Sequence, residues 1–293
     1  MGTSKCYGGP SKGLVPSWVD DPAPGVLSAT SSAIPVDSDV PGDQNPASPD
    51  QSAPDKPGET LRPDVQYVGS FRGPRGSFSR FAGTGSPSSL GSALSGYVRR
   101  GTGGAQRAAR RMGASRSAGA RLLGIVRDVQ RLGATEVLRQ TLNLPELAGR
   151  PASEVFLALT DFVCPPGGKV DEGIARQAML DSIGDLAEAG LETFDTFTAD
   201  QLHEFFLEFL VRSIEGRIMA DIGGRGITLP NDVAAVENVQ EQLHDFVAGC
   251  TRGVLTGRID NIEALNNRDL GTKVDEIYEA AFELVAAAGE AVA

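Results

Sequence analysis

Residues 198–224, TADQLHEFFLEFLVRSIEGRIMADIGG, decide the fold. Leu202, Phe205, Phe206 and Phe209 recur three and four positions apart and make one apolar stripe of a helix. Leu207, Val211, Ile214 and Ile218 make a second stripe on the other side. Thr198 and Gln201 form a capping-box pair, in which hydroxyl and amide satisfy N–H groups that the first turn leaves open. A helix apolar on two sides lies at the centre of a bundle or contacts a partner.

The same periodicity extends outward in both directions. Toward the C-terminus, GRGITLPND (224–232) reads as a loop, and Asn231 or Asp232 caps a helix reaching about Leu255. Val236, Val239, Leu243, Phe246, Val247 and Cys250 form the face of that helix. RIDNIEALNNRD (258–269) and TKVDEIYEAAFELVAAAG (272–289) complete the chain.

Toward the N-terminus, Asp171 is expected to cap EGIARQAMLDSIGDLAEAG, which ends at Gly190. PASEVFLALTDFVC (151–164) has Pro151 near its first turn and stops at Pro165, Pro166, Gly167 and Gly168. TEVLRQTL (135–142) makes a short helix. In SRSAGARLLGIVRDVQRLG (115–133), Leu122, Ile125, Val126 and Val129 share a face, with Arg116, Arg127 and Arg131 largely opposite. SPSSLGSALSGYVRR (86–100) opens another short helix. No run alternates apolar and polar residues as a half-buried strand does, so the expected class is all-α, a bundle of roughly seven to nine helices.

Composition sets the N-terminal third apart. The first 90 residues hold 13 of the 18 prolines and 12 of the 36 glycines, with few large apolar side chains. Such a segment buries too little surface to offset an ordering cost of roughly 1 to 2 kcal/mol per residue. Residues 1–85 are therefore expected to be a disordered tail carrying a recognition motif in 1–20, followed by an Arg-rich helical segment (86–132) and an acidic helical core (133–293). Net charge is −11, divided as −2 over 1–98, +8 over 99–131 and −17 over 132–293.

Cys6, Cys164 and Cys250 are widely spaced and odd in number, which speaks against a disulfide framework or a zinc site and fits a reducing cytosol. No apolar run approaches the ~18 residues that span a bilayer, so a soluble, cytoplasmic chain without membrane contact is expected.

Catalytic constellations are weak. CPPGGKV and IGGRGIT lack the spacing of a phosphate loop and follow no strand. Asp200-Gln-Leu-His203 and Glu241-Gln-Leu-His244 both read acid-x-x-His, the arrangement by which di-iron bundles hold metal. Glu241 and His244, however, fall on the outside and flank of their helix, and Asp200 and His203 in a first turn, so no metal and no cofactor is expected. Cys164 and Cys250 read as small core hydrophobes. The expected protein is not an enzyme.

The arginines of 99–131, among them Arg107, Arg110, Arg111, Arg116, Arg127 and Arg131, admit two uses. They pack on the chain's own acidic body or an acidic partner, or they neutralise nucleic-acid phosphates. Almost no aromatic residue interleaves them, Tyr97 being the nearest, which favours the first.

The first eighteen residues, MGTSKCYGGPSKGLVPSW, contain the only tryptophan. Removal of Met1 would leave Gly2 with an α-amine of pKa about 7.7 to 8.0, far more often neutral and nucleophilic near pH 7.5 than a lysine. Cys6 stands where an N-myristoylation pattern wants Ser or Thr. In LVPSW an exposed aromatic next to proline has the character of a binding anchor.

MGTSKCYGGP with LVPSW, then GTGGAQRAARRMGASRSAGARLLG, FLALTDFVCPPGG and RQAMLDSIGDLAEAG, resemble the QatB family of the Qat anti-phage defence system. The resemblance covers most of residues 1–20 and 86–255 and skips the low-complexity stretch between. It implies three companions: an ATPase (QatA), a QueC-like protein (QatC) and a TatD-like nuclease (QatD). QueC-type enzymes adenylate a 7-deazaguanine carboxylate for attack by an amine. On that resemblance Gly2 is the expected acceptor. Thr3, Ser4, Lys5, Tyr7, Gly8, Gly9, Pro10, Leu14, Pro16 and Trp18 are the expected partner-binding residues. A flexible tail of this length has a root-mean-square span of roughly 50 Å.

Overall fold

In the computed structural model, which describes residues 69–190, 193–223, 232–259 and 261–293, the chain winds into ten α-helices among these residues. They are α1 (Arg72–Thr84), α2 (Pro87–Gly96), α3 (Ala105–Arg110), α4 (Gly113–Leu132), α5 (Ala134–Glu136), α6 (Ala152–Val163), α7 (Val170–Glu188), α8 (Ala199–Ile218), α9 (Val233–Leu255) and α10 (Asn267–Val292). No strand forms among the described residues; one antiparallel bridge joins Pro151 to Thr193. The all-α class read from periodicity is the class observed.

α8 is the hub that its two stripes demand. Leu202, Phe206, Phe209, Ile214 and Ile218 are all fully buried, and α4, α7 and α9 pack around the helix. Its start is fixed as expected: Gln201 N–H donates to Thr198 Oγ1 at 3.2 Å, and Thr198 N–H to Gln201 Oε1 at 2.8 Å. At Gly119 an added Cβ would lie 3.3 Å from Val274 Cγ1 and 3.7 Å from Phe206, so the missing side chain lets α4 close on α10 and α8.

α10 lies against α2 across a contact only glycine permits. A Cβ built on Gly91 would stand 2.6 Å from the Gly289 carbonyl oxygen, and one on Gly289 would stand 2.6 Å from that of Gly91. Close backbone approach brings Leu90, Leu94, Tyr278 and Phe282 into one apolar core.

Two expectations are corrected. The tail expected to run to 85 ends earlier, because Arg72–Thr84 is helical. Phe78 and Phe81 are fully buried there, with rings edge-to-face at 5.6 Å, and Gly85 in the left-handed conformation stops the helix by donating to Phe81 O at 2.7 Å. Tertiary burial thus overrides the poor intrinsic helicity of RGPRGSFSRFAGT. The segments 86–132 and 133–293 share one core, in which Leu122, Ile125 and Val126 of α4 lie with Phe206 and Phe209 of α8.

Finally, Asp171 lies inside the first turn of α7 and caps a different helix. Its Oδ2 accepts from Ala114 N–H at 2.5 Å, serving the open N-terminus of α4. Glu172 instead closes α7's start by accepting from Lys169 N–H at 3.0 Å.

Candidate functional site

Gly2, Thr3, Ser4, Lys5, Tyr7, Gly8, Gly9, Pro10, Leu14, Pro16 and Trp18 lie outside the described residues, as does Cys6. The site questions answered by geometry therefore concern the arginine block and the helical body.

Arg99, Arg111, Arg116 and Arg127 pair with the chain's own acids. Arg116 grips Asp275 of α10 with two hydrogen bonds, at 2.5 and 2.9 Å. Arg111 holds Asp221 in the same bidentate way, at 3.2 and 2.9 Å, and Arg99 pairs with Glu290. Arg127, expected on the solvent side of α4, is buried. Its guanidinium donates to Asp128 Oδ1 at 2.8 Å, and to Leu265 O and Asn267 Oδ1 at 3.0 Å each, tying α4 to the start of α10. Arg107, Arg110 and Arg131 lie at the surface.

Asp221, in the π-helical turn after α8, is a junction the sequence did not disclose. Besides Arg111 it accepts from the Tyr97 hydroxyl at 2.9 Å and from Arg217 at 3.2 Å, while its carbonyl accepts from Arg75 at 2.8 Å. Burial, and the carboxylate beside it, push the Tyr97 phenol well above its ordinary pKa, so it remains a donor. Arg75 and Arg111 both lie 5.8 Å from the Phe71 ring centroid, so the same cluster anchors the entry to α1.

The principal cavity, about 670 Å³, runs between α7 and α9 with α8 as its floor. α7 contributes Val170, Gly173, Ile174, Gln177, Ala178 and Asp181, whose spacing is one helical face. From α8 come Arg212, Glu215 and Gly216, and from the π-helical turn after it Met219; α9 adds Gln240, Glu241, Leu243 and His244.

The floor is charged because α8 has a third stripe. Glu204, Glu208, Arg212 and Glu215 follow one another at helical spacing. Arg212 donates to Glu208 at 2.7 Å and to Asp185 of α7 at 2.8 Å. Arg252 of α9 also binds Glu208. His244 Nδ1 and Glu215 Oε1 are 2.8 Å apart. That hydrogen bond raises the His244 pKa, while burial raises that of Glu215. Sequence spacing placed His244 on a flank and gave no role to Glu215. Here they form an acid–imidazole pair at the base of the groove, able to carry charge and bind. Among the described lining residues there is no hydroxyl or thiol for such a pair to activate.

The two acid-x-x-His motifs do not converge. His203 is buried, with Nε2 2.9 Å from the Gln130 side-chain amide of α4, whereas Asp200 is exposed. Among the described residues no group of three or more His, Cys, Asp or Glu side chains could hold a metal ion. Burial pushes the thiols of Cys164 and Cys250 up to about 11, away from nucleophilic reactivity. No helix of the described residues is long and apolar enough to cross a membrane.

Comparison with curated proteins and with solved structures gives no match. A family model, that of the Qat anti-phage system associated protein QatB, matches residues 103–285. The match runs from the loop before α3 into the last turns of α10 and takes in the arginine block and the groove, well over half of the chain. The protein belongs to the QatB family and is thereby a component of an anti-phage defence system.

Proposed function

We propose that this chain is a non-enzymatic scaffold of the defence system whose N-terminal segment is bound by a QueC-like partner (QatC) and acylated at Gly2. The observation that carries the proposal is the pairing of QatB family membership with the segment MGTSKCYGGPSKGLVPSW. The first supplies a multi-component system. The second supplies an amine of low pKa beside an aromatic anchor, Trp18.

The step balances without any group from the helical body. A carboxylate oxygen of the deazaguanine-type acid attacks the α-phosphorus of ATP, giving the acyl-adenylate as the α–β phosphoanhydride bond breaks and pyrophosphate leaves. The Gly2 nitrogen lone pair forms the amide C–N bond, the acyl C–O bond to AMP breaks, and the surplus proton passes to solvent. Thr3 to Pro10 thread the ligase and Trp18 anchors outside it. The ATPase (QatA) and the TatD-like nuclease (QatD) are the further partners that the resemblance implies. Nucleic-acid contact through Arg107, Arg110 and Arg131 is the lesser alternative, because Arg111, Arg116 and Arg127 are committed within the fold.

Intact-mass analysis after co-expression with the QueC-like partner tests the reading. An adduct localised to Gly2 by fragmentation is expected. Only the Met-processed mass, or an adduct at another residue, refutes it.

A further inference from the structure

We propose that the groove between α7 and α9 is a docking site for a basic amphipathic helix supplied by a partner protein.

Shape is the first ground. The stripe Val170, Gly173, Ile174, Gln177, Ala178 and Asp181 runs about 17 Å along α7, taking 1.5 Å per residue, or three helical turns. α9 forms the opposite wall and α8 the floor, so the trough is bounded by helices on three sides and open along its length. Side chains of an inserted helix would interdigitate with those of the walls as ridges into grooves.

Chemistry is the second. Ile174, Ala178, Met219 and Leu243 give an apolar bed, and Val170 at one end is 70 % exposed. A solvated valine heading such a bed is suited to covering by a partner.

Charge decides the occupant. Three carboxylates line the trough, Asp181, Glu215 and Glu241, against Arg212 and His244. Arg212 is already held by Glu208 and Asp185, and His244 by Glu215. Asp181 accepts only from Gln177 at 2.7 Å, and among the described residues neither Asp181 nor Glu241 has a cationic partner. An apolar strip flanked by lysine or arginine satisfies both the bed and these acids. An acidic helix would bring like charges together.

Gly173 makes the test clean. A Cβ there meets nothing within 4 Å, so a side chain leaves the helix without a clash and Gly173→Trp sets its bulk in the trough. The probe is a fluorescein-labelled synthetic helix with leucine at i, i+3, i+4 and i+7 and lysine elsewhere, titrated against the full chain by anisotropy. Its counterpart carries glutamate for lysine. The basic peptide is expected to bind at least about tenfold tighter than the acidic one. Gly173→Trp, with an unchanged melting temperature, should weaken it by a similar factor, and Asp181→Asn with Glu241→Gln should flatten its salt dependence.

Affinity indifferent to Gly173→Trp would overturn the proposal by placing binding on the general acidic surface. Equal affinity for the two peptides would also overturn it. So would concentration-dependent self-association abolished by Gly173→Trp, which would assign the trough to a second copy of the chain. None of these outcomes depends on acylation of Gly2.

Discussion

Replacing Phe81 with alanine tests where the folded body begins. Phe81 lies in α1, fully buried, its ring 5.6 Å from that of Phe78. Deleting a buried phenyl group in a core that cannot fully collapse costs about 3 to 5 kcal/mol. Against a total of roughly 5 to 15 kcal/mol for a domain, that is a large share. With a urea m-value of about 3 kcal/mol per molar, the midpoint should fall by roughly 1 to 1.7 M. Far-UV circular dichroism is the suitable probe, because the only tryptophan is Trp18. Phe71→Ala, at a half-buried ring, should cost less. A chain beginning at residue 69 should likewise be more stable than one beginning at 86. If Phe81→Ala shifts stability by less than about 0.5 kcal/mol, as surface substitutions do, α1 does not dock and the body begins near residue 86.

Two glycine substitutions should act with opposite sign. Gly184→Ala, where a Cβ meets nothing within 4 Å, gains about 1 kcal/mol of helix propensity and should raise Tm by about 2 to 4 °C. Gly91→Ala makes the same gain but drives a methyl to 2.6 Å from the Gly289 carbonyl oxygen, an overpacking cost of about 1 to 3 kcal/mol. Calorimetry finding equal increases would refute the α2–α10 contact. A proton NMR titration should place the His244 pKa above its ordinary value near 6.5, and Glu215→Gln should lower it. Because the folded-state pKa is raised, the His244 contribution to stability is fully present below pH 6.5 and lost as pH rises through the higher folded value. Stability rising with pH across that window in the wild type relative to His244→Gln would contradict the pair. With Cys6→Ser, native protein at pH 8 should resist alkylation, since thiols pushed up to about 11 are only about a thousandth ionised, and rapid native labelling would show Cys164 or Cys250 to be open.

Why some elements were legible and others not follows from what each depends on. α8 announced itself because its stripes and its Thr198–Gln201 box are local and need no partner to be recognised. α1 was obscured by Gly73, Gly76 and Gly83, which lower helix propensity; the only clue was the recurrence of Phe71, Phe78 and Phe81 at multiples of the helical period. Asp171 stands where a cap belongs, yet its acceptor lone pairs are used 57 residues away in sequence, on Ala114. Arg127 looked solvent-facing by angle alone, and only the Leu265 carbonyl and Asn267 amide explain its burial. The groove was invisible for the same reason. Arg212 and Glu215 belong with Glu204 and Glu208 to a plain polar stripe in sequence, and become part of a floor only when α7 and α9 flank them.

The charge asymmetry of the chain now has a physical interpretation. A +8 block beside a −17 body reads, as a sequence, first as a cationic segment packed on acids of its own chain or of a partner, and only second as a nucleic-acid module. In the fold, Arg111, Arg116 and Arg127 each reach a residue more than 100 positions away: Asp221, Asp275 and Asn267. They act as cross-links between α4, the α3–α4 turn and the C-terminal helices. Only Arg127 is buried, Arg111 and Arg116 pairing with their acids nearer the surface, and Asp181 and Glu241 along the groove have no cationic partner among the described residues. A surface of that sign repels phosphate backbones and attracts basic proteins, with a reach limited to about 8 Å at physiological salt.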